Sequence, residues 1–435
     1  MDSYRAIPET LTPSTTSNTI NLPFAQQSQR YQKVVLLTPN SSITISSIGY
    51  TQIRAPNPTK NTFTCSDAAL NKIWSDGVRT VDKCVVEANE TLIAWQVMAN
   101  GTRVLGQHWA PCRQGTYWSD MVATFQVYME TGGASWGVHM VANGLIFVIQ
   151  PSTRTLAAFT GFSDKSAIFP TVDVGNWTIP DTVDLTGWVS VNSTASGGDA
   201  SVTINDVLIG TLSGIDISPT LGESPDNTGS IAFGGPQGYS SIYRDLEVTD
   251  YSGTVLYTNT FMTADKDRIL ADFATGSNAH AGTIDGAKRD RASFGGDLYV
   301  LGRSIAYSTS TLDAVLGTIN LLTSHQNSAG YLGNLCPVQA PIQTETFEPP
   351  TYSFYSLSYA LLLTVAIKDY WLHSGDSATI KTVFPKLVKL MAYTESYVDA
   401  TSGLVVAKSN KSIIISKIDL SRCTELRSAS WVIVH

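Results

Sequence analysis

The period of the apolar residues switches three times along the chain, from alternating over 42–48, where a strand is predicted, to helical, to alternating again and back to helical, which restricts the fold to separate helical and β units. Leu70, Ile73, Trp74, Val81 and Val85 recur at helical spacing behind Ser66 and Asp67, either of which suits an N-cap. An amphipathic helix with a buried stripe is therefore predicted over 66–87, with Trp74 read as core. Between about 91 and 262 the period is two. Ala123, Phe125 and Val127 alternate with their neighbours, as do Trp136 and Val138, and Gly132-Gly133 and Gly197-Gly198 mark turns. Residues 201–204 and 207–209 flank Asn205-Asp206, a pair that tolerates positive φ, so a hairpin is predicted there. Many short strands at regular intervals predict a β-sandwich. Beyond 262 the helical period returns. An apolar run covers 298–307; Phe354, Leu357, Leu361, Leu362, Val365 and Leu372 trace one helix, and Leu387, Leu390, Met391, Thr394 and Val398 another. Asp376 is read as the cap of a short helical stretch between them, and Pro385 as a turn start.

At 435 residues the chain is long enough for two or three domains. A formal net charge of −8 excludes nucleic acid and anionic membrane as partners, because either repels an acidic surface. No apolar run reaches the length of a membrane span; the longest lies near 360–367. Five cysteines, Cys65, Cys84, Cys112, Cys336 and Cys423, are an odd number without metal-ligand spacing, so neither a disulfide framework nor a metal site is indicated, and one pair at most is expected. The histidines are scattered, with no nucleophile elbow and no His-Glu-x-x-His pair, so the serine-hydrolase and metalloprotease patterns are missing. No cofactor is implied.

Residues 285–297, Asp-Gly-Ala-Lys-Arg-Asp-Arg-Ala-Ser-Phe-Gly-Gly-Asp, gather three carboxylates and three basic side chains. Where Asp285, Asp290 and Asp297 converge, they resist common ionisation, while Lys288, Arg289 and Arg291 supply opposing charge. Pushing neighbouring carboxyl pKa values apart lets one acid hold a proton while another stays charged. The alternative is a solvated, salt-bridged loop. His280, just upstream, is read either as lining the same cleft or as an ordinary loop histidine.

This segment resembles the signature of the fungal α-L-rhamnosidase family of inverting, six-hairpin glycoside hydrolases. The start of the first predicted helix, from Cys65 to Trp74, is similar to that family's first barrel helix, and the likeness spans roughly 30–405. It implies a multidomain α+β chain: a partial (α/α)6 toroid with an inserted β-sandwich of concanavalin-like jelly-roll type and a remnant N-terminal β-domain. The map is 1–60 for the remnant, 61–90 for the first toroid helix, 91–262 for the sandwich, 263–407 for the first half of the toroid and 408–435 for an atypical tail. By resemblance Asp290 is the general acid, and Asp285, Arg289 and Asp297 hold sugar hydroxyls of a terminal rhamnoside. Phe294 stands where the family more often has Trp, keeping an aromatic face but losing an N–H donor. The helical periodicity supplies about five helices, fewer than a closed ring, and the expectation is a truncated chain. The family's general-base Glu is not reached. An inverting glycosidase needs that second carboxylate roughly 6.5–9.5 Å from the acid, so binding without efficient turnover is expected. Glu345 and Glu348 are the nearby carboxylates outside an apparent helix.

A different class of function is also open, a non-catalytic carbohydrate-binding protein that uses the sandwich. Trp118, Trp136, Trp177, Trp188, Tyr239 and Tyr243 are each read as either core or sugar-stacking platform. A rhamnose-containing glycan or glycoside is the expected partner under either reading. Six sequons, at Asn40, Asn89, Asn100, Asn176, Asn192 and Asn410, point to an extracellular protein; Met1 to Arg5 show no apolar signal-peptide region, so the expectation is either a chain that begins inside a longer precursor or an intracellular protein.

Overall fold

The computed structural model describes residues 39–40, 42, 44–47, 61–106, 109–141, 143–163, 170–217, 227–236, 238–286, 291–309, 311–333, 335–343 and 356–406. The remnant β-domain assigned to 1–60 falls outside these apart from isolated positions, and the tail from 408 lies wholly outside. Asp67 begins α1 (Ala68–Cys84), its carboxylate accepting from the backbone N–H groups of Ala69 and Leu70. That satisfies two donors which a helix start leaves open. The predicted stripe needs correcting. Within α1 only Val81 and Cys84 are buried, Leu70 and Ile73 are exposed, and Trp74 is half-buried against Phe63. Val85 leaves the helix for the short strand β1 (Val85–Val86).

The middle of the chain is β2 (Gln96–Met98), β3 (Gly101–Leu105), β4 (Ala110–Pro111), β5 (Asp120–Thr131), β6 (Ala134–Met140), β7 (Leu145–Gln150), β8 (Thr155–Ser163), β9 (Pro170–Thr178), β10 (Trp188–Ser196), β11 (Asp199–Ile204), β12 (Val207–Leu212), β13 (Ser230–Gly234), β14 (Ser240–Thr249) and β15 (Val255–Asn259). These strands form two antiparallel sheets. One runs β12-β11-β10-β5-β14-β3-β2, with β15 added on β14; the other runs β4-β13-β6-β7-β8-β9. Alternation sets the core: Met121, Ala123, Phe125 and Val127 of β5 all point between the sheets, facing Trp136, Phe147 and Phe233. Phe125 meets Phe233 edge to face, with centroids 5.2 Å apart. The β11–β12 hairpin turns through Asn205 and Asp206, both at positive φ, as the right-handed strand twist favours.

A short helix, α2 (Lys266–Asp272), closes one end of the sandwich. Ile269, Leu270 and Phe273 join the sandwich core, and the Phe273 ring lies 4.9 Å from that of Trp95. The sequence boundary at 262/263 therefore falls before a helix that packs with the sandwich.

A second core belongs to the helical part, which contains β16 (Gly282–Thr283), β17 (Ser293–Phe294), α3 (Gly295–Ser308), α4 (Asp313–Ser324), β18 (Leu335–Cys336), α5 (Leu357–Ser374) and α6 (Ser377–Glu395). α3 packs along α5 and α1, and α4 and α6 both lie against α5. The chain is thus an α+β protein with a sandwich and a helical unit. A closed helical ring is not seen among the described residues.

The later helices depart from the predicted faces. α5 buries Ala360, Leu363, Ala366, Ile367 and Tyr370, whereas Leu372 is exposed. Asp376 caps α6 itself, accepting from the Thr379 N–H, and α6 is one continuous helix with Pro385 inside it. Proline lacks an N–H, so the Lys381 carbonyl loses its usual helical donor without the helix ending.

Candidate functional site

The signature loop leaves and re-enters the fold at a fixed base. Val85 pairs with Thr283 and Val86 with Gly282, and the Ile284 N–H donates to the Cys84 carbonyl. Thr283 is held from behind by α4, its N–H donating to the Thr318 hydroxyl at 2.7 Å. Asp285 and Ala292 then close the loop. The Asp285 N–H donates to the Ala292 carbonyl at 3.1 Å, and the Ala292 N–H returns a bond to the Asp285 carboxylate at 3.2 Å. The Ser293 hydroxyl donates to the Thr283 carbonyl, and β17 pairs with β18. Backbone bonds on both flanks fix where Asp285 begins and where Phe294 ends this excursion.

Two glycines then let α3 start against α5. A Cβ on Gly295 would lie 2.9 Å from the Tyr359 carbonyl oxygen, and one on Gly296 2.7 Å from the Tyr359 ring. The same approach sets Phe294 edge-on to Tyr359, with centroids 6.2 Å apart. Asp297 follows in the first turn of α3, where a carboxylate complements the helix dipole.

The charges of Asp285 and Asp297 both act on one group. The Cys84 thiol at the end of α1 is held above its usual pKa first by burial, then by the charges of Asp285 and of Asp297. Both carboxylates are half-buried. Arg289 and Asp290, the assigned sugar ligand and general acid, lie outside the described residues, as do Lys288, Glu345 and Glu348. His280 is exposed rather than turned into a cleft. Sequence reasoning missed Cys84 and Tyr359; no spacing in the chain ties either to the signature.

The aromatic candidates of the sandwich divide cleanly. Trp136 and Tyr243 are core, and the Tyr243 hydroxyl donates to the Ser135 carbonyl at 2.9 Å. Trp118 and Trp177 pack on that core, and Tyr239 packs on a smaller cluster around Met140 and Ile146. Trp188 differs. It alternates with buried Val189 and so turns to the outer side of the sheet, across from Tyr128. The Arg244 guanidinium lies 3.8 Å over the Trp188 ring and donates to the Gln126 side-chain carbonyl.

Among the described residues no group of three or more His, Cys, Asp or Glu side chains forms a metal site, and no helix is long and apolar enough to cross a membrane. Cys65, Cys84, Cys112 and Cys336 are free thiols.

No protein-family model and no curated protein matches the chain. Solved structures similar to parts of it include the carbohydrate-binding module CBM66 from Bacillus subtilis, at 14% identity and a TM-score of 0.24 over 35% of this chain and 97% of that one. The Caenorhabditis elegans galectin LEC-6 aligns at 9% identity and a TM-score of 0.22, over 32% of this chain and 94% of the galectin. A putative glycosyl hydrolase from Parabacteroides distasonis aligns at 11% identity and a TM-score of 0.25, over 39% of this chain and 94% of that one.

Proposed function

We propose that the chain is a glycoside-processing protein of the α-L-rhamnosidase type, related to the inverting six-hairpin enzymes that its signature resembles, with a helical unit that is part of an (α/α)6 toroid. In this reading Asp290 protonates the glycosidic oxygen, turning a poor alkoxide leaving group into a neutral alcohol as oxocarbenium character develops. Asp285, Arg289 and Asp297 hold sugar hydroxyls, and Phe294 offers an apolar face. The paired base, which sets Asp285 at one end of the signature loop and Phe294 and Asp297 at the other, carries the proposal, because it supports a site there. None of the assigned residues takes the general-base role, so the reading predicts sugar binding with weak turnover.

Titration calorimetry with L-rhamnose, paired with hydrolysis of an aryl α-L-rhamnoside, tests this. Binding that is lost in Asp285→Asn and Asp297→Asn, with residual hydrolysis abolished in Asp290→Asn, is the expected result. Wild-type protein that neither binds nor hydrolyses these sugars, or binding that all three variants retain, overturns it.

A second reading is favoured by Trp188, the aromatic of the sandwich candidates that sits on the outer sheet face beside hydrogen-bonding partners. There the sandwich binds a neutral glycan. Arg103 is paired with Glu130, and Arg244 lies 3.5 Å from Asp245, so the face carries no surplus positive charge for an acidic sugar. Sugar binding that survives Asp285→Asn but is lost in Trp188→Ala assigns it to the sandwich rather than to the loop.

A further inference from the structure

Four of the six sequons, each with threonine at its third position, lie wholly within the described residues: those at Asn89, Asn100, Asn176 and Asn192. The fold treats them differently. Asn89 is exposed in a turn at φ 62°, just after β1. Asn100 is exposed at the tip of the β2–β3 hairpin. Asn176 is exposed on β9, the edge strand of its sheet, where one side of the strand has no hydrogen-bonded neighbour among the described residues. Asn192 sits mid-strand in β10, bonded on both sides, between Thr124 of β5 and Thr203 of β11. It is half-buried, and its Oδ1 is closed off from solvent without a hydrogen-bond partner.

A glycan is bulky and strongly hydrated, so its stem must leave the protein surface directly into water. Turns and an edge strand provide that exit. Asn192 alternates with buried Val191 and Ser193 and so faces the outer side of a continuous sheet between Thr124 and Thr203, where it is half-buried and its amide oxygen is enclosed. A sugar on its Nδ2 would crowd the surroundings that already enclose that amide, whereas the exposed sites have open space around them.

We infer that Asn89, Asn100 and Asn176 are N-glycosylation sites of a secreted form of this protein, and that Asn192 stays unmodified in the folded chain. The donor class is an oligosaccharide carried on a lipid pyrophosphate. The asparagine Nδ2 bonds to the sugar C1 and gives up one proton, the bond from C1 to the pyrophosphate oxygen breaks, and the lipid pyrophosphate leaves. Val86 pairs with Gly282, so the chain toward Asn89 runs opposite the segment preceding Gly282, away from Asp285. A glycan on Asn89 is thereby carried away from Asp285.

The full chain, expressed in yeast behind a secretion signal, is digested with peptide N-glycosidase in heavy-oxygen water, which marks each formerly glycosylated asparagine as labelled aspartate. Peptide mass spectrometry should find label at Asn89, Asn100 and Asn176 and none at Asn192. If the protein is retained in the cell, the same mapping is made on its membrane-enclosed fraction. Label at Asn192 in soluble, folded protein, or unlabelled asparagine at the three exposed positions, overturns the assignment. Asn100→Gln adds an independent reading: it should remove one glycan's step in electrophoretic mobility, whereas Asn192→Gln should leave mobility unchanged.

Discussion

The guanidinium of Arg113 donates to Nε2 of His325, joining the short 3-10 turn beside β4 to the end of α4. Both residues are buried. The other ring nitrogen, Nδ1, lies 2.8 Å from the Leu321 carbonyl, which can only accept, so Nδ1 bears the proton and Nε2 is left as the acceptor for Arg113. The neutral imidazole is therefore built into the contact between the sandwich side and the helical side. Burial, then the nearby charge of Arg113, lowers the His325 pKa to about 3.

Acid should loosen this contact. The folded pKa lies below the unfolded one, so the unfolded chain binds the extra proton first, and stability falls as pH drops from about 6.5 toward about 3. The full shift corresponds to roughly 4–5 kcal/mol at about 1.4 kcal/mol per pKa unit. Urea unfolding across that range should show the decline in wild type and a much flatter profile in His325→Gln, whose amide oxygen still accepts from Arg113. An unchanged slope in the variant would mean that other groups govern the acid limb.

Removing either carboxylate beside Cys84 should make its thiol more acidic. Negative charge opposes thiolate formation, so Asp285→Asn and Asp297→Asn each lower the Cys84 pKa, although burial keeps it above the ordinary thiol value. Alkylation of Cys84 followed by peptide mass mapping over a rising pH series should show its onset at lower pH in both variants. Equal onset in wild type and Asp297→Asn would mean that the Asp297 charge does not reach the thiol.

Gly296→Ala should destabilise the helical unit by about 1–3 kcal/mol, the usual cost of forcing a methyl into a packed contact. The new Cβ meets the Tyr359 ring at 2.7 Å, closer than carbon atoms tolerate. In Tyr359→Ala that obstacle is gone, so the double variant should cost less than the sum of the two single changes. Additive costs in thermal melts would place the strain elsewhere.

Asp67→Ala should cost about 1 kcal/mol, because the carboxylate that accepts from the Ala69 and Leu70 N–H groups is lost while α1 keeps its other contacts. Asp67→Asn should retain most of that stability. Chemical denaturation of the three proteins checks the order.

The chain's own residues determined much of this protein. Period-two alternation located the sandwich, because strands such as β5, β10 and β11 have one face against the opposite sheet and one outward, and Asn205-Asp206 marked a turn that its backbone angles require. Asp67 marked the start of α1. The sequence did not determine which side of α5 is buried, since Leu361, Leu362, Leu363, Val365, Ala366 and Ile367 make that helix apolar nearly all round, and only packing against α3 selects Leu363 and Ile367. Nor could it place Pro385 inside α6, where tertiary contacts of Val383 and Leu390 outweigh one missing hydrogen bond. At the signature, residue types announced charge chemistry, but the partners Cys84 and Tyr359 come from helices distant in sequence. Their closeness arises from two glycines without side chains and a paired strand base, and such long-range approach leaves no periodic trace in the chain.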